Sequence, residues 1–228
     1  MFWKTYLIFA ISIAIACIIY HIPLPLITLS TSAKLITTAI MPPSTNPILL
    51  ILGSGPRIGA SIARTFAQRG YTIVLASRSG LNALTPEGYH SLRFDLSDPS
   101  SLPSLFATVK TETGGTPNVV VYNAGSFTAP PDKDSVLSIP VENLVRDFAV
   151  NTISPYVAAF EAAKAWDVMG EEGEGEGQGT KKTFIYTGNI LNTVVLPIPM
   201  LTDAGMGKAA SAYWIGVADA NFAGKGYR

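Results

Sequence analysis

Apolar and polar positions change rhythm along this chain, and each change marks an element. Residues 48–52, Ile-Leu-Leu-Ile-Leu, are continuously apolar, which predicts a strand buried on both faces. The run ends on glycines. Residues 60–69 follow with Ile62, Ala63, Phe66 and Ala67 at helical spacing, and Gly70 is placed to end the helix. Residues 71–76, 91–94, 118–122 and 183–187 read as four further strands. Leu102, Leu105, Phe106 and Val109 mark a helix that tolerates Pro103 in its first turn. Residues 141–169 carry the pattern of one long or kinked helix, with Pro155 the expected irregularity, and residues 208–223 form a final alanine-rich helix. Strands alternating with helices at these lengths predict an α/β fold, a doubly wound parallel sheet covered on both faces. The glycine–glutamate run at 171–179 predicts a solvated flexible loop.

A different pattern precedes the first strand. Residues 5–22 are apolar and carry no formal charge, with Lys4 before them and Pro23 and Pro25 after. That length is near the lower limit of the roughly 17–25 residues of a membrane-spanning helix. Trp3, Tyr6 and Tyr20 lie near its ends, as interfacial aromatics do. The expectation is an N-terminal hydrophobic helix acting as a single-pass anchor, hence membrane association through 5–22 and a membrane localisation. Two alternatives stay open. Ala14-Ile15-Ala16 resembles a signal-peptide cleavage site, and a start at Met41 would leave a cytoplasmic domain. Residues 23–46, rich in proline, serine and threonine, read as a linker, which leaves 47–228 as the folded domain.

Composition narrows the chemistry. The chain has 228 residues, 48% hydrophobic and only 14% charged, with zero formal net charge, so no basic face is offered to nucleic acid. Cys17 is the only cysteine, which excludes an intrachain disulfide and a thiolate metal cluster. His21 and His90 are too few and too scattered for a metal site.

The chemistry therefore rests on the turn after the first strand, Gly53-Ser54-Gly55-Pro56-Arg57-Ile58-Gly59. Gly53 can make the bend, Gly55 has no side chain to block a diphosphate, and Gly59 lets the helix approach the sheet. Helix amides beyond the turn would face the anion. At the end of the second strand, Ala76-Ser77-Arg78-Ser79 has no carboxylate to hold a ribose 2′-hydroxyl, while Arg78 can pair with a 2′-phosphate. Asp95 reads either as a cofactor contact or as a cap or turn residue, and Asn123 as a tie between strands. Asn151, unfavourable in mid-helix, is expected to have a buried partner.

Taken in order, these motifs resemble the short-chain dehydrogenase/reductase family over residues 47–228. Gly53 and Gly59 match the first and last glycines of its Thr-Gly-x-x-x-Gly-x-Gly, with Arg57 where the middle glycine would be. Asp95-Leu96 resembles its adenine-contacting acid, Asn123-Ala124-Gly125 its Asn-Ala-Gly signature, and Asn151 its catalytic asparagine. Lys208 resembles the lysine of its Tyr-x-x-x-Lys motif. The resemblance implies a Rossmann-like fold with Gly53, Ser54, Gly55, Arg57, Ile58, Gly59, Arg78, Asp95, Leu96, Asn123, Ala124, Gly125 and Lys208 around a nicotinamide dinucleotide, and the Arg78 reading favours NADPH over NADH. It implies Asn151 and Lys208 as the catalytic residues.

Two departures from the family qualify this. Where the tyrosine proton donor belongs, four residues before Lys208, the chain has Ala204, and no serine falls cleanly in register near Gly188. Thr187, Asn189, Asp203, Tyr186 and Tyr213 are the conceivable substitutes, with Asp203 reading more simply as an N-cap with Thr202. The chain also ends at Tyr227-Arg228, where the family continues into a sixth strand, so the sheet is expected to be incomplete at its C-terminal edge. The expectation is an NADPH-preferring oxidoreductase with impaired or altered catalysis on an unknown carbonyl or alcohol, and a homodimer through its long helices. The alternatives are an NADP-binding module without chemistry and a truncated product.

Overall fold

Strand β1 (Ile48–Leu52) is buried at all five positions and sits at the centre of the sheet, as a continuously apolar strand must. Around it, the computed structural model describes residues 46–169 and 181–228, all within one compact unit. The elements run β1, α1 (Ile58–Ala67), β2 (Thr72–Ser77), β3 (Ala83–Leu84), β4 (His90–Arg93), α2 (Leu102–Thr113), β5 (Val119–Tyr122), α3 (Val141–Phe148), α4 (Ser154–Met169), β6 (Thr183–Tyr186) and α5 (Thr202–Phe222). The sheet order is β3-β4-β2-β1-β5-β6. Every pairing is parallel except that of β3, a two-residue strand that folds back antiparallel on β4. The order reverses between β2 and β5, on either side of β1, and that reversal opens the crevice above the strand ends.

The sheet separates two cores. On one face Leu49, Ile51, Ile73, Val119 and Val121 pack with Ala63, Ile62 and Phe66 of α1. On the other, Leu50, Leu52, Val74, Val120 and Tyr122 meet Leu102, Leu105, Phe106 and Val109 of α2 and Ala158, Ala162 and Trp166 of α4. The β-strand period of two sends alternate residues of β1 to opposite faces, so one strand serves both cores.

The irregularity expected at Pro155 is present, and its cause is visible. Between α3 and α4, residues Ala149–Ile153 form a π-helical turn. Pro155 has no N–H to give the carbonyl of Asn151 four residues earlier, which frees that oxygen. It accepts instead from Tyr186 Oη at 3.0 Å and Ser211 Oγ at 2.7 Å. The π turn thus ties α4 to β6 and α5. Gly207 of α5 packs against it so closely that a Cβ there would come within 2.5 Å of Asn151 Cβ.

Three expectations change. The last helix starts at Thr202 and not at 208, because Pro199–Leu201 forms a 3-10 turn that leads directly into it. The antiparallel β3 has no counterpart in the sequence reading, since two exposed residues, Ala83 and Leu84, carry no periodicity. Among the described residues no helix is long and apolar enough to cross a membrane. That overturns the expected anchored, membrane-localised protein. The segment that suggested it, 5–22, lies outside the described residues, as do the linker to residue 45 and the 171–179 loop. At the other end, the backbone of Arg228 pairs with the outer edge of β6, accepting from Phe184 N at 2.8 Å and donating to Lys182 O at 3.1 Å.

Candidate functional site

The turn after β1 is shaped by close backbone approach. Gly53 has φ +88°, a region that favours glycine, and a Cβ there would lie 2.5 Å from Ala124 N. Ala124 is held in place because Asn123 N and Ala124 N both donate to Leu52 O, at 2.8 and 3.1 Å, while Asn123 Nδ2 donates to Gly53 O at 2.9 Å. Asn123 is therefore the tie between β1 and β5 that its amide suggested. Gly59 faces Ser54, where a Cβ would come within 2.8 Å of its Cα. Gly55 is the opposite case: a Cβ there would meet nothing within 4 Å. That empty cradle fits a ligand pressed against the backbone. Beyond it, Ala60 N and Ser61 N donate to Gly55 O and Arg57 O. Ile58 and Gly59, the first amides of α1, have no acceptor among the described residues, as the start of a helix dictates. Arg57 is exposed at the N-cap and caps nothing with its side chain.

A cleft of about 750 Å³ runs from this turn over the ends of the strands. Gly53, Ser54 and Gly55 form one wall, Asn123, Ala124 and Gly125 the floor, and Arg78, Asp95 and Leu96 the far end. Nine of the residues singled out in the sequence thus meet in one concavity. Arg57, Ile58 and Gly59 do not line the cleft: Arg57 and Ile58 are exposed, and Gly59 is buried at the start of α1. Arg78 is exposed and makes no ion pair among the described residues. Asp95 resolves as a turn residue: its Oδ1 accepts from Ser97 N at 3.0 Å. That bond chiefly holds its carboxyl below the usual carboxylate range, with a smaller contribution from Arg78.

Asn151 and Lys208 are placed differently from the rest. Asn151 is buried behind the cleft, where its side chain brackets one residue: Oδ1 accepts from Ser126 N at 3.0 Å and Nδ2 donates to Ser126 O at 2.6 Å. Its partner, Ser126, is half-buried and not buried as its mid-helix position suggested. Lys208 Nζ donates to Thr187 O at 2.9 Å and lies 4.3 Å from the Tyr186 ring centroid. Burial pulls its ammonium below the usual lysine range. It does not line the cleft. Among the conceivable substitutes for the missing tyrosine, Tyr213 is largely exposed and Tyr186 Oη is engaged with Asn151 O.

Asp203 is not a simple cap. It is buried in the first turn of α5, and a second buried carboxylate, Asp147 of α3, accepts from the same residue, Thr128. Asp203 Oδ2 accepts from Thr128 N and Oδ1 from Ala204 N, both at 2.6 Å. Asp147 Oδ1 accepts from Ser126 Oγ at 2.5 Å and from Arg146 Nη2 at 2.9 Å, and Oδ2 from Thr128 Oγ1 at 2.6 Å. Burial pushes the Asp203 carboxyl up, and neighbouring Asp147 adds to it. Burial also opposes ionisation of Asp147, but the bonds from Ser126, Thr128 and Arg146 together hold it below the usual range. Sequence reasoning missed Ser126, Arg146 and Asp147. Ser126 follows the Asn-Ala-Gly signature directly, and Asp147 lies four residues before Asn151 on one helical face. Those two spacings were the available signals.

Comparison with known proteins agrees with this architecture. Residues 55–176, more than half of the chain, match the family model described as enoyl-(acyl carrier protein) reductase. The chain is 36% identical over 197 residues to a short chain dehydrogenase/reductase, dmxR12, of Cryptosporiopsis sp. (strain 8999), covering 80% of this chain and 74% of that one. It is 29% identical over 155 residues to elsinochrome reductase 1 of Elsinoe fawcettii, covering 62% of this chain and 56% of the reductase. A short-chain type dehydrogenase/reductase from Mycobacterium marinum superposes with a TM-score of 0.66 at 21% identity, covering 80% of this chain and 69% of that one. BdcA, solved in complex with NADPH, superposes with a TM-score of 0.60 at 18% identity, over 79% of this chain and 67% of that one. With the glycine turn, the reversal in strand order and the Asn-Ala-Gly floor in register, the chain belongs to the short-chain dehydrogenase/reductase family.

Proposed function

We propose that this chain is an NADPH-preferring oxidoreductase acting on a small carbonyl or alcohol. The observation that carries the cofactor preference is Arg78, exposed at the end of β2 on the cleft wall between Ser77 and Ser79. No carboxylate stands there to bind a ribose 2′-hydroxyl and repel a phosphate, and a guanidinium is free to pair with one. The structure of BdcA holds NADPH, whereas a related oxidoreductase from Brucella ovis holds a partially ordered NAD, so membership of the family does not by itself decide between them.

When bound, a reduced nicotinamide supplies the hydride that reduces a carbonyl carbon. This chain's own residues bind and orient it. Ile58 and Gly59 offer amides to the diphosphate, Gly55 leaves room for it, Asp95 and Leu96 flank the adenine end, and Asn123 keeps the floor in register. Lys208 and Asn151 support the site from behind through Thr187 and Ser126. Ala204 has no proton to give, so the proton must come from another group. Titrating NADPH and NADH into the full chain, followed by nicotinamide fluorescence, tests this reading. Tighter binding of NADPH supports it, and binding of neither nucleotide overturns it.

A second reading, a nucleotide-binding module without turnover, is favoured by one observation: Lys208 Nζ is engaged with Thr187 O and lies off the cleft. It predicts binding without oxidation of NADPH on a panel of ketones and aldehydes. We also propose a homodimer through α4 and α5, whose Tyr156, Phe160, Tyr213 and Val217 are exposed apolar side chains. Sedimentation equilibrium distinguishes dimer from monomer.

A further inference from the structure

We propose that Arg146 forms the outer side of the adenine slot in this cleft, its guanidinium held in place by the buried Asp147 and stacked on the base. The proposal rests on the reading of the cleft as a dinucleotide site.

Arg146 and Val150 lie one helical turn apart and both line the cleft, so one face of α3 and the π turn looks into it. Two bonds seat that face beside the adenine end. Ser154 Oγ, one turn further on, donates to Leu96 O at 2.6 Å, and Tyr122 Oη of β5 donates to Val150 O at 2.6 Å. Leu96 and Val150 are buried, and Phe94, also on the cleft wall, packs against the same core as Leu96. These apolar side chains suit a flat base. Arg146, with half of its side chain exposed, is the member of the wall closest to solvent.

The guanidinium is fixed before any ligand arrives. Nε and Nη2 donate to Asp147 Oδ1 at 3.0 and 2.9 Å, and Nη2 also donates to Thr128 Oγ1 at 3.1 Å. The Asp147 side chain has no exposed surface, and it accepts from Ser126 and Thr128 as well. An arginine at a half-exposed position ordinarily samples many rotamers, and ordering it on a ligand costs that freedom. Here bonds along one edge of the guanidinium have already removed it. Among the described residues no aromatic ring lies against Arg146, so its flat face is open.

Charge favours a base over a phosphate at this position. Asp147 compensates Arg146 at hydrogen-bond distance, which largely cancels its pull on an anion. The face of the guanidinium keeps its affinity for an aromatic ring. Arg78 is the contrast: it makes no ion pair among the described residues, so its charge is available to a phosphate. The two arginines of the cleft thus divide the adenosine, Arg78 taking the 2′-phosphate and Arg146 the base. A guanidinium that served only to offset Asp147 would make the same bonds but would not influence nucleotide affinity.

The test titrates NADPH and NADH, followed by nicotinamide fluorescence, into the full chain, Arg146→Met, Arg146→Lys and the double variant Arg146→Met with Asp147→Asn. Competition with 5′-AMP and with inorganic pyrophosphate separates base from phosphate, and urea midpoints report the fold. Arg146→Met is expected to weaken NADPH, NADH and 5′-AMP alike by about 5–30-fold and to leave pyrophosphate unchanged. Arg146→Lys keeps the charge but loses the plane, and its affinities are expected to fall between those of the parent and Arg146→Met. The double variant removes the buried charge as well, so its urea midpoint is expected closer to the parent's, with the loss in adenine-nucleotide affinity unchanged. Unaltered nucleotide affinity in Arg146→Met overturns the proposal. So does recovery of affinity in the double variant, a loss confined to NADPH, or a loss in pyrophosphate competition, and in each of these cases the dinucleotide reading of the cleft still stands. If the parent binds neither nucleotide, both are overturned.

Discussion

At the glycine turn the backbone sets the geometry, whereas at the start of α5 side chains do. Gly53, Gly59 and Ala124 are held by contacts between main-chain atoms, and only small residues fit. Around Ala204 the contacts are made by carboxyls, a hydroxyl and an ammonium carried on Asp203, Asp147, Ser126 and Lys208. A backbone site fails only if a side chain intrudes. A side-chain site can change its chemistry through one substitution while the helix beneath it remains, as the alanine at 204 illustrates. The two regions are therefore expected to respond to mutation differently.

Gly53→Val is the harshest test of the turn. It combines a positive φ, costing about 1–3 kcal/mol, with overpacking against Ala124 worth about 1–3 kcal/mol more. Urea unfolding should show a loss of about 4 kcal/mol, and NADPH binding should vanish with it. A variant of unchanged stability would mean that the turn can relax. Next in size is Arg78→Ala. Removing a charge-assisted contact should weaken NADPH binding by about 10–100-fold and leave NADH nearly unaffected. Equal losses for both nucleotides would show that Arg78 does not read the 2′-phosphate.

At the α5 end, Lys208→Ala should cost about 1–2 kcal/mol of stability, because Thr187 O loses a charged donor, yet shift NADPH affinity by less than about tenfold. A larger affinity loss would place Lys208 in the cofactor site after all. The carboxyl pair gives a pH signature without a large effect at any one pH. Asp203, raised in the folded chain by burial and by Asp147, contributes stability that is fully present below the unfolded carboxyl value of 3.8 and lost as pH rises through its folded value. Asp147, lowered, contributes stability present above 3.8 and lost as pH falls through its folded value. Denaturation of Asp203→Asn against pH should lack the first loss and keep the second. The smallest effect is expected at Gly55→Ala. Its Cβ meets nothing and its φ is not positive, so stability should stay within about 1 kcal/mol of the parent. Affinity for NADPH should fall, because the methyl group enters the cradle.

The glycine-turn end of the cleft was legible in the chain because its signals are local. An apolar strand, glycines at 53, 55 and 59 and the Asn-Ala-Gly run each lie within a few residues of the bend they make. Membrane anchoring was read from local composition too, and among the described residues no helix supports it. The side-chain cluster at the start of α5 was not legible. Ser126, Asp147 and Asp203 are spread over 78 residues of chain, and nothing in the run around any one of them announces the other two.

What the sequence determined alone was the alternation of strand and helix, the turn chemistry and the blank at Ala204, since these follow from side-chain size, period and the missing N–H of proline. Only the tertiary structure decided that Asn151 clamps Ser126, that Lys208 turns to Thr187 and that two aspartates from different helices share one buried space. Burial and pairing across the chain are set by how helices pack on the sheet, and packing brings together residues whose separation along the chain carries no record of their meeting.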